Sequence, residues 1–343
     1  MRTDERVIEM TVDSIKMTGE RGLITKCATS LFKHRPVEHK GVMLQDKYDS
    51  PDNLVYGLKN IILDDLSGRF EIELSAKILG VDYINNINEN NIERVFDIIN
   101  KTGIIGINKS RIADIGVLRV DVCDNVHVDK TKEKYFKALS LYKFNEKYIC
   151  NPNHRGSVIF ESKRKKSPDR ITLYDKKTEL RESRNKPLLE MLFESGRLNE
   201  FDDVIRIEQN VRTFEAMRKK IGVKTTIENG ALLIDILQSK KRCNRDLLNT
   251  IVEEPPPTLF SDDRFSGMSL KEIEKQYGRE SIIRMCNNDL FMVYEFISSK
   301  VKGNIIRYKR EYQDAYRWMM RDANLSDHNE IDNCISEILM KLA

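Results

Sequence analysis

Along residues 67–75, Phe70, Ile72 and Leu74 alternate with Arg69, Glu71 and Glu73, the pattern of a strand with one buried face. A partner strand is expected over 55–63, across a polar turn at 64–68. Residues 7–14, continuing through Ile15 and Met17, predict an opening strand. The period then changes. Over 90–101, Ile92, Val95, Phe96 and Ile99 fall on one helical face, and Gly103 suits the helix end. A strand around Asp121 and a helix over 131–142 follow. Residues 157–160 and 171–174 predict the arms of a hairpin, whose turn contains Ser167, Pro168 and Asp169. A helix over 187–197 leads to a strand bearing Glu208. Beyond Arg212 the pattern is helical almost to the end. Pro255, Pro256 and Pro257 can continue neither a helix nor a sheet ladder, so they read as a linker.

Strands mixed with helices, then helices alone, predict an α+β fold: a central antiparallel β-sheet flanked by helices, followed by a smaller all-helical C-terminal region. The expected division is 1–215 and 216–343, with a linker near 253–262. The 343 residues are 40% hydrophobic and 33% charged, enough to bury a core and unlike a disordered chain. A net charge of +4 permits a nucleic-acid partner without requiring one. No apolar run is long enough to span a bilayer, and the charged first residues lead into no signal-peptide core, so no membrane is expected. Six scattered cysteines without a CxxC pair suit free thiols in a reducing cytoplasm.

The candidate chemistry sits in three strands. Leu118 to Val122 carries Asp121, and Val204 to Glu208 carries Glu208, each acid set among β-formers. The second hairpin arm ends in Tyr174, Asp175 and Lys176, with Glu179 just beyond. Alternation puts Arg119, Asp121, Cys123, Asn125 and His127 on one face, and Asp124 on the other. It also joins Thr172, Tyr174 and Lys176, and Arg206 with Glu208. If the three strands are neighbours, one face holds Asp121, Glu208, Tyr174 and Lys176. Two carboxylates suit Mg²⁺ or Mn²⁺. A phenol of pKa ~10 is a poor nucleophile at neutral pH. A metal on the phosphate and a lysine favouring phenolate would activate it. These parts suit metal-assisted attack of a tyrosine on a DNA phosphate. The plain alternatives are a half-exposed strand tyrosine, one of twelve in the chain, Arg119–Asp121 and Arg206–Glu208 ion pairs, and a solvated basic turn.

Three motifs in order, Arg119-Val120-Asp121, Tyr174-Asp175-Lys176 with Glu179, and Arg206-Ile207-Glu208, resemble the trans-acting replication initiators of rolling-circle plasmids. Phage gene-II/X-type replication proteins and some mobile-element relaxases are related to these. The resemblance covers roughly residues 8 to 215. It implies that Tyr174 nicks one strand at an origin, leaving a 5′-phosphotyrosine and a free 3′-hydroxyl, and later rejoins it. Asp121 and Glu208 would help hold the metal. The family often has a second acid four positions after the first; here Asn125 stands there and Asp124 lies one residue early, the candidate third ligand. The two-histidine motif of other rolling-circle nucleases is absent. His127 is an outside candidate, while His34 and His39, in a loop-like stretch, and His154, in a turn, are assigned to no metal.

Lys163, Arg164, Lys165 and Lys166 in the hairpin turn, with Arg170 and Arg206, are the candidate DNA contacts, positioning the backbone without reading sequence. For origin reading, a helix over 269–278 ending in Gly278 and another from Glu280 are the candidate helix-turn-helix, although most such pairs are only packed helices. The aromatic and basic stretch 307–321, with Tyr308, Tyr312, Tyr316 and Trp318, reads as a small helical core more readily than as a contact with DNA or a helicase. The expected partners are DNA (origin duplex and single-stranded nick region), a second copy as a homodimer, and a host helicase. Termination would use the partner copy's tyrosine, or a carboxylate such as Glu179 acting on water. A relaxase starting mobilisation by the same chemistry is the alternative; direct entry into the opening strand favours replication. A non-catalytic DNA-binding regulator is the second.

Overall fold

The computed structural model describes residues 9–40, 42–50, 55–141, 144–145, 147–153, 156–164, 169–227, 230–252, 269–323 and 325–342. In chain order these form β1 (Val12–Glu20), β2 (Ile24–Cys27), β3 (Lys33–His39), β4 (Val42–Asp49), β5 (Leu58–Asp64), β6 (Arg69–Ser75), α1 (Ile92–Lys101), β7 (Ile105–Ile107) and β8 (Gly116–His127). Next come α2 (Lys132–Leu141), β9 (Tyr148–Asn153), β10 (Ser157–Ser162), β11 (Arg170–Asp175), α3 (Lys176–Leu180), α4 (Lys186–Glu194) and β12 (Val204–Val211). The rest are α5 (Phe214–Lys220), β13 (Thr226–Ile227), β14 (Gly230–Leu232), α6 (Leu233–Leu237), α7 (Cys243–Ile251), α8 (Leu270–Met285), α9 (Leu290–Lys300), α10 (Ile305–Ala323) and α11 (Leu325–Lys341). The fold is α+β: a large antiparallel sheet flanked by helices, with a helical C-terminal region.

The chain divides into two compact units. One comprises Met1–Asn125, Leu180–Asp202 and Ile207–Asn244; the other comprises Val126–Glu179, Asp203–Arg206 and Arg245–Ala343.

In the first unit the strands run in the order β3-β4-β5-β6-β1-β8, with the C-terminal half of β12 beside β8. The alternation at 67–75 sets the register. Ile72 lies opposite Met17 of β1 and Ile61 of β5, and Phe70 opposite Leu63. All five are buried, as are Ile92, Val95, Phe96 and Ile99 of α1 in the same core. Each such side chain contributes about 1.5–3 kcal/mol by leaving water. Gly103, at φ 72°, follows α1 in the left-handed conformation that favours glycine. Between β1 and β8 the register steps from Val12↔Val122 to Ser14↔Asp121, so Asp13 is an extra residue in a β-bulge.

In the second unit β9, β10 and β11 form an antiparallel set, with Val158 opposite Leu173 and Phe160 opposite both Ile171 and Cys150. The C-terminal helices enclose their own core of Ile283, Leu290, Val293, Tyr294, Ile297, Ala315, Tyr316 and Met319. Tyr308 and Tyr312 pack against it, and the Tyr316 hydroxyl donates to the Asn288 carbonyl at 2.8 Å. The Trp318 side chain lies outside the described residues. Among the described residues no helix is long and apolar enough to cross a membrane.

Four sequence expectations change. The stretch with His34 and His39 is strand, not loop: β3 pairs with β4 as an exposed ribbon, and Pro36 is tolerated because β3 is an edge strand. Asn151, Pro152 and Asn153, expected in a turn, end edge strand β9 for the same reason. A short β13–β14 hairpin interrupts the region expected to be helical, with β14 pairing to β8. The helix-turn-helix at Gly278 is absent: α8 runs unbroken through it, started by a Ser269–Glu272 capping box. Gly278 is not among the positive-φ glycines, so no helix end forms there. The proline linker near 253–262 lies outside the described residues apart from its first position's neighbour, Val252.

Candidate nucleophile and carboxylate sites

Tyr174 belongs to the second unit. The β10–β11 register places it opposite Ser157, one residue before β11 ends. The chain then turns into α3, so Lys176 leaves the strand as the first helical residue. Its ammonium folds back. Lys176 Nζ donates to Tyr174 Oη at 3.1 Å and to Glu179 Oε2 at 2.8 Å, and lies 5.2 Å from the Tyr174 ring centroid. Only 1% of the Lys176 side chain is exposed, and 15% of Glu179. A lysine this buried requires a charged partner. It gets one from the i,i+3 spacing within a single turn of α3.

Asp175 fixes the same turn from the other side. Its amide donates to the Gly156 carbonyl at 3.0 Å. Its carboxylate accepts from the Thr178 amide at 3.2 Å and the Thr178 hydroxyl at 2.7 Å, capping α3, and is ion-paired with Lys132 of α2. Burial alone would push the Asp175 carboxyl up, but the Lys132 and Thr178 hydrogen bonds together hold it below its ordinary value. Tyr174 therefore sits at the mouth of a braced turn, with a cation on its oxygen.

The candidate metal carboxylates lie in the first unit. Asp121 is half-buried and accepts a hydrogen bond from the Asn210 amide of β12. Arg119 pairs instead with Glu73 at 3.1 Å. Burial drives the Asp121 carboxyl upward. The Arg119 charge and the Asn210 hydrogen bond oppose this, while the Asp13 carboxylate beside it adds to the rise. The bulge brings Asp13 there, and the Tyr83 hydroxyl, donating to Asp13 Oδ1 at 2.9 Å, holds it. Glu208 is half-buried and shares the Asn210 face of β12 by alternation. Asp124 has different company. It accepts from the Asn244 amide at 2.8 Å, which also reaches the Ile207 carbonyl at 3.2 Å, and burial raises its carboxyl. The fold thus gathers Asp121, Asn210 and the Glu208 face but gives Asp124 separate partners.

Among the described residues no group of three or more His, Cys, Asp or Glu is placed to hold a metal ion. Mg²⁺ keeps several waters and needs one or two carboxylates besides phosphate oxygens. Asp121 and Glu208 are carboxylates of the kind such a cation takes, and the Asp13 charge at Asp121 is one that a cation offsets.

Of the basic residues, Lys163 and Arg164 are exposed at the β10–β11 turn, and Arg170, also exposed, pairs with Glu161 at 3.2 Å. Lys165 and Lys166 lie outside the described residues. Arg206 is a correction: it is fully buried and offers no guanidinium to a DNA backbone. His127 is exposed and bonded to Asp203 at 2.9 Å, His34 stacks on Tyr48 at 4.6 Å, His39 is exposed, and His154 lies outside the described residues. Sequence reasoning missed Asp13, Asn210 and Lys132. Only Asn210 carried a signal, two places after Glu208 on the same strand face.

No family model matches the chain, and no curated protein does. Among solved structures the chain is similar to one described as "Structure of Rolling Circle Replication Initiator Protein from Geobacillus stearothermophilus". The identity is 12%, the TM-score 0.34, and the match covers 74% of this chain and 89% of that one.

Proposed function

We propose that the chain initiates rolling-circle DNA replication by nicking and rejoining one strand through Tyr174. The observation that carries this reading is the buried Lys176 ammonium on the Tyr174 oxygen, braced by Glu179. Phenol ionisation is the obstacle at neutral pH. A fixed cation at 3.1 Å in a low-dielectric setting favours the phenolate. The phenolic proton leaves to water, the Tyr174 Oη–phosphorus bond forms, and the bond from phosphorus to the 3′-oxygen breaks. A 5′-phosphotyrosine and a free 3′-hydroxyl remain, and attack by that hydroxyl reverses the step without an external energy source. Asp121 and Glu208 would hold Mg²⁺ or Mn²⁺, which when bound polarises the scissile phosphate. Lys163 and Arg164 bind the strand's backbone. The same reading includes a second copy supplying a tyrosine at termination, a host helicase, and action in the cytoplasm.

The test is nicking of a supercoiled plasmid carrying the chain's own flanking DNA, with Mg²⁺, Mn²⁺ or EDTA, by wild type and Tyr174→Phe. The expected result is a metal-dependent, protease-sensitive covalent adduct that the variant does not form. Binding without cleavage under every metal would overturn the reading in favour of a DNA-binding regulator. An adduct surviving in Tyr174→Phe would move the nucleophile elsewhere.

A further inference from the structure

The β3–β4 ribbon is the least economical element of the first unit. Every residue of β3 is exposed, and β4 pairs with β5 only through Lys47, Tyr48 and Asp49, so among the described residues the ribbon beyond them has no sheet neighbour. An isolated two-stranded ribbon is marginally stable in water. This one also exposes Val37, Val42, Met43 and Leu44.

Its register sorts the side chains. Lys33 lies opposite Asp49, Arg35 opposite Lys47 and Val37 opposite Gln45, so Lys33, Arg35 and Lys47 share one face with Asp49, and Val37 lies beyond them; a register shift after Val37 then places Met43 opposite Glu38 and Val42 opposite His39. Arg35 and Lys47 are like charges directly opposite each other, an arrangement that destabilises a cross-strand pair. Two carboxylates flank it. Asp49 pairs with Arg35 at 3.3 Å. Asp64 lies across from Lys47, but its carboxylate accepts from the backbone amides of Asp46 and Ser67. The other face holds the His34–Tyr48 stack, a His34–Asp46 pair, and Glu38 opposite Met43.

From this arrangement we infer that the β3–β4 ribbon is a duplex-DNA-binding arm. Lys33, Arg35 and Lys47 contact phosphates, and the apolar tip enters a groove. A two-stranded ribbon fits the major groove, and apolar tips wedge against base steps in ribbon and minor-groove binders. A polyanion adds negative charge beside Arg35 and Lys47, a like-charge pair that Asp49 and Asp64 offset only from its two ends. Strand addition by a second copy is opposed by Pro36, which lacks an amide donor in the middle of the free edge, and by the exposed lysines there. The inference rests on the proposed initiator function, for which it supplies origin-duplex binding apart from the tyrosine turn.

The experiment measures fluorescence anisotropy of a labelled duplex from the flanking DNA with the full chain, from 50 to about 300 mM salt. Wild type is compared with Lys33→Ala/Arg35→Ala/Lys47→Ala and with Val42→Ser/Met43→Ser. Each phosphate contact contributes a salt slope of about 0.9, or about eightfold affinity at 0.1 M salt. With three contacts removed, the triple variant is expected to lose about 2.7 units of slope and about 500-fold in affinity at 0.1 M salt. The tip variant is expected to lose affinity with its slope unchanged. Removing the repelling pair leaves the melting temperature unchanged or higher, so misfolding does not mimic the loss. Equal affinity and slope in the triple variant would overturn the inference, as would a change of oligomeric state by sedimentation with DNA binding intact. Adduct formation on a short single-stranded oligonucleotide is read in parallel. Its absence in wild type would refute the strand-transfer reading while leaving the arm result legible.

Discussion

Lys176→Met separates what the buried ammonium does for the fold from what it does for chemistry. The substitution keeps a straight apolar side chain in the site and deletes the charge. With Lys176 at 1% and Glu179 at 15% exposure, the pair is screened little by solvent. Breaking a buried pair from one side costs about 3–5 kcal/mol. The residual exposure of Glu179 points to the lower end, about 3 kcal/mol. Lys176→Met/Glu179→Gln removes both charges and is expected to recover about 2 kcal/mol, a coupling typical of groups in one network. Equilibrium urea unfolding of wild type, both single variants and the double variant measures this. Single-variant costs that add within about 0.5 kcal/mol would refute the pairing. The chemical half is read from adduct formation against pH. Without its cation Tyr174 should ionise as an ordinary phenol, so the variant's adduct yield should collapse at neutral pH and recover towards pH ~10. A flat profile matching wild type would show that Lys176 does not activate the tyrosine.

Three further outcomes follow from the geometry. The Asp175 carboxyl is held below its ordinary 3.8, so its contribution to stability is present above that value and lost as pH falls through the lower folded value. Thermal melts against pH should therefore fall more steeply below about pH 4 for wild type than for Asp175→Asn, and parallel curves would contradict this. Asn210→Ala removes a donor to Asp121, so the Asp121 carboxyl should titrate still higher by carbon NMR and Mn²⁺ binding by paramagnetic resonance should weaken; an unmoved titration would separate the two residues. Ser269→Ala removes one half of the α8 capping box and should cost about 1 kcal/mol, read as faster amide exchange in the first turn of α8, whereas unchanged exchange would argue against the cap.

Where one face of an element is buried, the sequence was a reliable guide. The β5–β6 pair, α1 and the β10–β11 hairpin were all legible because apolar residues must recur at the period of the element that buries them. The β3–β4 ribbon buries neither face, so Lys33 to His39 shows no alternation, and Pro36 argues against a strand unless the strand is known to be an edge. The C-terminal helices illustrate a different limit. Gly278 resembles a helix end in sequence, but a helix ends there only if the chain takes the left-handed conformation, and the apolar positions beyond it, such as Ile283, reward continuation.

The candidate site was legible to the extent that it follows strand periodicity. Asp121, Tyr174 and Glu208 stand out as polar residues among β-formers. Lys176 was placed on the Tyr174 face for the wrong local reason: strand alternation suggested it, whereas it reaches the tyrosine by folding back from the first residue of α3. Lys132 is 43 residues from Asp175 in the chain, and only the packing of α2 brings the two together. Asp13 is the clearest case of information that periodicity hides. An unbroken β1 would assign Asp13 a single ladder partner. The register step between Val12 and Ser14 instead makes it an extra residue of the bulge, beside Asp121, and whether a strand bulges is decided by its neighbours on both sides. A bulge that adds a carboxylate beside another raises the electrostatic cost of the folded state, and Tyr83 offsets part of that cost by donating to Asp13. Replacing Tyr83 with Phe removes that donor and keeps the ring in the core, so it should cost about 1.5 kcal/mol in urea unfolding, and an unchanged midpoint would break the link between this buried aromatic residue and the charge at Asp121.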